Sequence, residues 1–271
     1  MRVGTDSDLL GALSAGGSNV LDIGTGTGVL SLMLAQRYPE ARITAIEIDD
    51  GAILDASRNF AESRFASRID LHHVSFQDYL SQATESHFDS IVCNPPYFHR
   101  SLECGSTSKT RARHTSSLPF PVLIQGAARL LLPSGRFSVC LPPEVLDLFI
   151  AHCHQAGLLP EHLYRIHTIP SKPPKRFVLI CRKSTESNTH NGEYTNTTVD
   201  TAANDTIGTA VTASIPITTG TAANDATLPH IHNCCMLTPD RQRSPWYLSL
   251  MEPFLTYSAE PPERLRIKNQ G

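Results

Sequence analysis

Short apolar runs rich in branched side chains alternate with longer stretches whose apolar positions recur at helical spacing. Ser18 to Ile23 (SNVLDI), Arg42 to Glu47 (RITAIE), Ile69 to Val74 and Phe88 to Cys93 read as buried strands. Between them, Val29 to Arg37 and Asp49 to about Ser63 read as helices, and Ser75 to Leu80 as a loop or short helical turn. Farther on, Pro121 to Leu132 is an amphipathic helix stopped by Pro133 and Gly135, and Arg136 to Leu141 a fifth strand. Pro142 to Ala156 is a helix ending at Gly157, before two closing strands, Glu161 to Ile169 and Lys175 to Arg182, around the turn SKPPK. At the start, Thr5 or Asp6 caps a short helix whose apolar face is Leu9, Leu10 and Leu13. Strands alternating with helices predict an α/β fold, a doubly wound, mostly parallel sheet of seven strands.

The pattern changes after residue 183. Thr, Asn, Ala and Gly dominate residues 184–229, with TAAND occurring at Thr201 and again at Thr221. Too few of these residues can fill a core, so this is a low-complexity, disordered insertion after a folded domain of residues 1–183. Residues 230–271 form a C-terminal segment in which Ser244 to Tyr257 is a helix packing back on the domain through Trp246, Leu250 and Phe254.

Composition adds limits. The chain has 271 residues, 40% of them hydrophobic and 18% charged, which suits a globular core. No apolar run approaches ~18 residues, so no membrane span is expected. The N-terminus lacks the apolar centre of a secretory signal. Seven cysteines (Cys93, Cys104, Cys140, Cys153, Cys181, Cys234 and Cys235) fall mostly inside apolar runs, as buried free thiols of a reducing cytoplasm do. The net charge of −3 hides a polarity. Residues 1–94 carry 6 Lys and Arg against 13 Asp and Glu, a net of −7. Residues 95–183 carry 12 against 4, a net of +8, and residues 184–271 carry 5 against 9, a net of −4. The basic third points to a polyanionic substrate.

Candidate chemistry lies at the strand ends. Asp22-Ile23-Gly24-Thr25-Gly26-Thr27-Gly28 joins a strand to a helix with glycines spaced G-x-G-x-G. The dinucleotide fingerprint requires G-x-G-x-x-G, and here Val29 follows Gly28. Asp22 is a carboxylate that repels a pyrophosphate and attracts an ammonium. Glu47 ends the second strand, where it can accept both hydroxyls of a ribose, with Ile48 beside it. Phe76, past the third strand, can stack on an adenine. A cationic amino-acid end, a ribose and an adenine together describe S-adenosylmethionine. The competing reading makes Asp22 and Glu47 helix caps.

Asn94-Pro95-Pro96-Tyr97 stops the fourth strand with a rigid extended turn, because neither proline offers an N–H. Asn94 offers an amide and Tyr97 a flat ring, a pair suited to a planar group bearing NH2. That amine can donate to the Asn94 oxygen and to the Pro95 carbonyl.

With DIGTGTG, IEID and NPPY in this order, the chain resembles the class I S-adenosylmethionine-dependent methyltransferases of Rossmann-like fold. MRVGTDSDLLGAL, NPPYFHRSLECGSTSKTRARHTSSL and SKPPKRFVLI narrow the resemblance to bacterial enzymes that form N6-methyladenine at position 37 of a valine tRNA. It covers Met1 to about Lys183 and the Ser244–Tyr257 helix. The resemblance implies a monomeric cytoplasmic enzyme acting on tRNA, with no membrane partner. It places catalysis at Asn94, Pro95, Pro96 and Tyr97, and the cofactor at Asp22, Gly24, Gly26, Gly28, Glu47, Ile48, Ser75 and Phe76. Many relatives have Asp where this chain has Ser75, so the adenine amine falls to the Ser75 hydroxyl or the backbone. Relatives also carry a segment before GTD, so Met1 corresponds to an internal methionine. Arg100, Lys109, Arg111, Arg113, Lys172, Lys175 and Arg176 are candidates for phosphate contact, and His114 is a surface histidine. Methylation of a glutamine amide in a protein and a non-catalytic RNA-binding role are the alternatives. Cys234 and Cys235 near His230 and His232 lack C-x2-C spacing, which argues against zinc.

Overall fold

The computed structural model describes residues 4–83, 87–95, 118–185 and 228–255. Helix α1 (Thr5–Leu13) precedes β1 (Asn19–Ile23), α2 (Val29–Arg37), β2 (Arg42–Glu47), α3 (Asp50–Glu62), β3 (Ile69–His73), α4 (Phe76–Gln82) and β4 (Phe88–Cys93). Then follow α5 (Phe120–Leu130), β5 (Leu131–Leu141), α6 (Leu146–Gln155), β6 (Leu158–His167), β7 (Pro174–Lys183), β8 (His230–Cys235) and α7 (Pro245–Leu255).

All strands join one sheet in the order β3-β2-β1-β4-β5-β7-β6-β8. β1 to β5 run parallel, β7 lies antiparallel to both β5 and β6, and β8 runs parallel to β6. The chain runs outward from β1 to β3, then crosses to β4 on the other side of β1. That reversal opens a crevice at the carboxyl ends of β1 and β4, where open α/β sheets bind ligands.

Side-chain alternation builds two cores. Leu21 and Ile23 of β1 and Ile91 and Cys93 of β4 face a cluster with Leu123, Ile124, Phe137 and Phe149. Val20 and Val92 face the opposite cluster with Leu9, Leu10, Leu30 and Leu34. The period of two sends alternate residues to opposite layers. Each fully buried Leu, Ile or Phe contributes ~1.5–3 kcal/mol. Glycine is required where α5 crosses α4, since a Cβ on Gly126 would lie 2.6 Å from the Phe76 ring.

The sheet has eight strands, not the seven expected from the sequence. The extra one, β8, is an edge strand in which Cys234 alone is fully buried, so HIHNCC carries little apolar alternation. β5 begins at Leu131 rather than Arg136, its register with β4 shifting between Phe88 and Ser90. The helix expected from Pro142 divides into a 3-10 turn, Pro143–Val145, and α6. Ser75 caps a genuine helix, α4. α7 packs through Trp246, Tyr247, Leu250, Met251 and Phe254 against residues of α1 and α2. Most of the low-complexity stretch, residues 186–227, lies outside the described residues.

Candidate active site

The glycine loop between β1 and α2 turns at the crevice. Gly24, Gly26 and Gly28 have φ of 70°, 59° and 86°, a region that side chains with a Cβ rarely enter. At Gly28 a Cβ would also meet the Phe60 ring at 2.3 Å. The Gly24 and Thr25 N–H groups both donate to the Ile46 carbonyl, at 2.9 and 3.0 Å, which draws the loop over the end of β2.

Asp22 lies beneath this loop, 1% exposed. Its Oδ2 accepts from the Thr25 and Ser31 hydroxyls, each at 2.6 Å. Oδ1 is buried with no hydrogen-bond partner among the described residues. Burial pushes the carboxyl up to about 6, against the lowering pull of the two hydroxyls, and the nearby Glu47 charge adds to the rise. An orphaned oxygen on a buried carboxylate suits a cationic ligand group and makes the cap reading of Asp22 inadequate.

Glu47 is held by three backbone donors. Its Oε2 accepts from Gly26 N–H at 2.8 Å, and Oε1 from the N–H groups of Ile48 and Asp49 at 2.8 and 2.9 Å. Oε2 therefore keeps more accepting capacity than Oε1, which narrows the expected two-oxygen grip on a ribose. Ile48 is 50% exposed and presents apolar surface beside that carboxylate. The helix cap here is Asp49, whose side chain accepts from Ala52 N–H at 2.8 Å.

Asn94 follows the last residue of β4, whose Cys93 pairs with Ile23 at the end of β1. Its Nδ2 donates to the Ser7 hydroxyl of α1 at 3.0 Å. Pro95 is buried. Burial and the charges of Asp22 and Glu47 push the Cys93 thiol up, so the residue before Asn94 stays neutral.

A model of the methyltransferase small domain matches residues 4–141. A tRNA1(Val) (adenine(37)-N6)-methyltransferase of Phocaeicola vulgatus is 45% identical over 188 residues, 69% of this chain and 79% of the relative. The tRNA1(Val) (adenine(37)-N6)-methyltransferase of Parabacteroides distasonis is 41% identical over 181 residues, 66% of this chain and 76% of the relative. The chain belongs to the tRNA1(Val) (adenine(37)-N6)-methyltransferase family. The fold is also that of a predicted O-methyltransferase from Agrobacterium tumefaciens, whose crystal structure superposes with a TM-score of 0.60 at 16% identity, covering 92% of this chain and 96% of that one.

In this member of the tRNA1(Val) (adenine(37)-N6)-methyltransferase family the cofactor is S-adenosylmethionine. The described residues fit it: Asp22 for a cation, the Gly24–Gly28 loop for close approach, Glu47 for hydroxyls and Ile48 for a flat ring. Phe76 is a correction. It is 5% exposed and packed into the core with Leu123, Ile124 and Ala127, so its ring has little face to offer an adenine. Ser75 is engaged too: its hydroxyl donates to Asp78 Oδ2 at 2.6 Å and accepts from Asp78 N–H at 3.0 Å. Asp78 thereby sets a carboxylate beside Ser75, three residues after the position where relatives were expected to carry one.

Among the phosphate candidates, Lys172 and Lys175 are exposed near the β6–β7 turn. Arg176 is tied to α1, its Nε 2.8 Å from Asp6 Oδ2. Pro96, Tyr97, Arg100, Lys109, Arg111, Arg113 and His114 lie outside the described residues. Sequence reasoning missed Ser7, Asp6, Thr25, Ser31 and Asp78. The small hydroxyls carry no pattern of their own, whereas Ser75 and Asp78 form an S-x-x-D cap that the sequence displays. The described residues hold no cluster of three metal-ligating side chains. His162 and His232 instead pair with each other, Nδ1 to Nε2, at 3.2 Å. The six described cysteines are free, and five are buried. Among the described residues no helix is long and apolar enough to cross a membrane.

Proposed function

We propose that this protein methylates the N6 amine of adenine 37 in tRNA1(Val), working in a reducing cytoplasm. The reading rests on one observation above the others: Asn94 stands at the end of β4, beside the loop that covers Asp22, with its amide held in place. The two 41–45% identical relatives named above carry this activity in their names.

S-adenosylmethionine supplies the electrophilic methyl group. The chain supplies alignment. An adenine amine is a poor nucleophile because its lone pair is delocalised into the ring. Asn94 Oδ1 and the Pro95 carbonyl accept its two hydrogens and draw the nitrogen toward tetrahedral geometry, which localises the lone pair. Orientation of this kind lowers a barrier by several kcal/mol, within the ~7–11 kcal/mol that full preorganisation can reach. Asp22 and Glu47 hold the cofactor's ammonium and ribose. Tyr97 is the stacking partner of the base, a contact of ~1–3 kcal/mol. An anticodon-loop base is already unpaired, so bringing it to Asn94 costs less than extrusion from a duplex. Lys172, Lys175 and the basic residues between 100 and 113 bind the phosphate backbone. Mass spectrometry of tRNA nucleosides after incubation with protein and S-adenosylmethionine tests the proposal. N6-methyladenosine at position 37 of valine tRNA is the expected product. Unmodified tRNA, or methyl transfer to a protein glutamine instead, overturns it.

A further inference from the structure

An asparagine can serve as an acceptor toward the substrate amine only if its amide is turned the right way. The oxygen and nitrogen of that amide are nearly equal in size, so packing alone does not choose between them. The choice has to come from a hydrogen bond on one end. In this structure the bond is Asn94 Nδ2 donating to Ser7 Oγ at 3.0 Å, between residues 87 apart in sequence.

Ser7 is suited to that task by what holds it. It lies in the first turn of α1, where its own N–H donates to the Gly4 carbonyl at 3.0 Å. One turn on, Leu9 and Leu10 are both fully buried. The far end of α1 is fastened from α2 and the residue after it. Arg37 Nη1 donates to the Gly11 and Ser14 carbonyls at 3.3 and 2.8 Å, and the Tyr38 hydroxyl to the Ser14 carbonyl at 2.9 Å. At the near end Asp6 is held by Arg176. The Ser7 hydroxyl is therefore a fixed point rather than a mobile surface group.

We infer that Ser7 is a positioning residue for methyl transfer: by accepting from Asn94 Nδ2 it locks the amide with Oδ1 directed away from α1, toward the substrate amine. The inference rests on the proposed role of Asn94. Ser7 touches neither substrate nor cofactor in this account. It acts through Asn94, and its effect belongs in the turnover step.

The test is a cycle of Ser7 and Asn94 variants of the full chain, with kcat on tRNA, S-adenosylmethionine affinity by calorimetry, and thermal unfolding measured for each. Ser7→Ala lowers kcat about tenfold, the scale of one orienting hydrogen bond, with cofactor affinity and Tm close to those of the parent. Ser7→Thr keeps the hydroxyl and restores most of the turnover. In an Asn94→Asp background both side-chain ends are oxygens, so orientation loses its meaning and Ser7→Ala costs less than about twofold. An equal loss in both backgrounds overturns the inference. So does an unchanged or raised kcat in Ser7→Ala, or a loss of turnover that only follows falling Tm. The two levels separate cleanly. If Asn94→Ala turns over at the parental rate, the role of Asn94 itself fails. If Asn94→Ala is crippled and Ser7→Ala is not, only the positioning role of Ser7 fails.

Discussion

Arg176 Nε lies 2.8 Å from Asp6 Oδ2, joining β7 to the first turn of α1 across 170 residues of sequence. The two side chains are 37% and 27% exposed, so water screens the pair without dissolving it. Arg176 also donates to the Lys175 carbonyl at 2.7 Å, which fixes the guanidinium against its own strand. A residue expected to meet phosphate thus carries a second duty, seating the helix that presents Ser7.

Exposed pairs of this kind are worth ~0.2–1 kcal/mol. Arg176→Ala and Asp6→Ala are each expected to lower urea stability by about 1 kcal/mol or less. Their double mutant should lose less than the sum, and the coupling should vanish near ~1 M salt. Strict additivity at low salt would show that the pair does not anchor α1.

Lys172 and Lys175 are exposed beside that pair, in the basic third of the chain. Reversing both to Glu is expected to weaken tRNA binding and flatten its dependence on salt, since each lost phosphate contact removes ~0.9 or less from the log–log slope. Filter binding between low and moderate salt gives the slope directly. An unaltered slope would place these lysines away from the RNA.

Asp22 sets a pH limit on cofactor binding. Its carboxyl, raised to about 6 by burial, holds a proton in the unliganded protein below that pH. An ammonium ligand favours the ionised form, so binding there must expel the proton. Affinity for S-adenosylmethionine should be flat above pH 7 and fall as pH drops through 6, by at most tenfold per unit. Calorimetry in buffers of different ionisation enthalpy detects the released proton. Asp22→Asn should bind weakly at every pH with no step near 6. Retention of the step in that variant assigns it elsewhere.

Asn94→Ala is expected to cut kcat by ~100-fold or more, the scale of other preorganised polar contacts. S-adenosylmethionine and tRNA affinities should change far less, because the contact matters most in the transition state. Asn94→Asp keeps an acceptor and should keep measurable turnover. Rapid-quench kinetics with saturating tRNA separates chemistry from binding.

His162, His230 and His232 meet across the junction of β6 and β8, with ring centroids 5.3 and 5.4 Å from His162. Burial holds the His162 imidazole below its ordinary value. Glu161 opposes that pull, while His232, His230 and Arg136 add to it. The open strand binds protons more readily than the docked one, so docking of β8 is favoured above about pH 6.5 and weakens as pH falls through it. Amide exchange in Ile231 to Cys235, corrected for intrinsic rates, should speed up severalfold between about pH 7.5 and 5.5. His162→Gln should remove most of that change.

The sequence by itself determined the alternation of strand and helix, the parallel core from β1 to β5, the turn at Asn94 and the acidic ends of the first two strands. Those features are written in local periodicity, glycine spacing and proline placement, each of which acts over a few residues. Tertiary structure decided the rest. β8 exists because β6 offers it an open edge; its own pattern is too polar to announce a strand. Phe76 reads as an adenine partner in the sequence and becomes a core residue because α5 closes over it at Gly126. Whether Asp22 is a cap or a ligand group depends on Thr25 and Ser31, which occupy one of its oxygens and leave the other to the crevice. The partnership of Ser7 with Asn94 is invisible in one dimension, because a single hydroxyl carries no periodicity and its partner is supplied by a strand folded against it from a distant part of the chain.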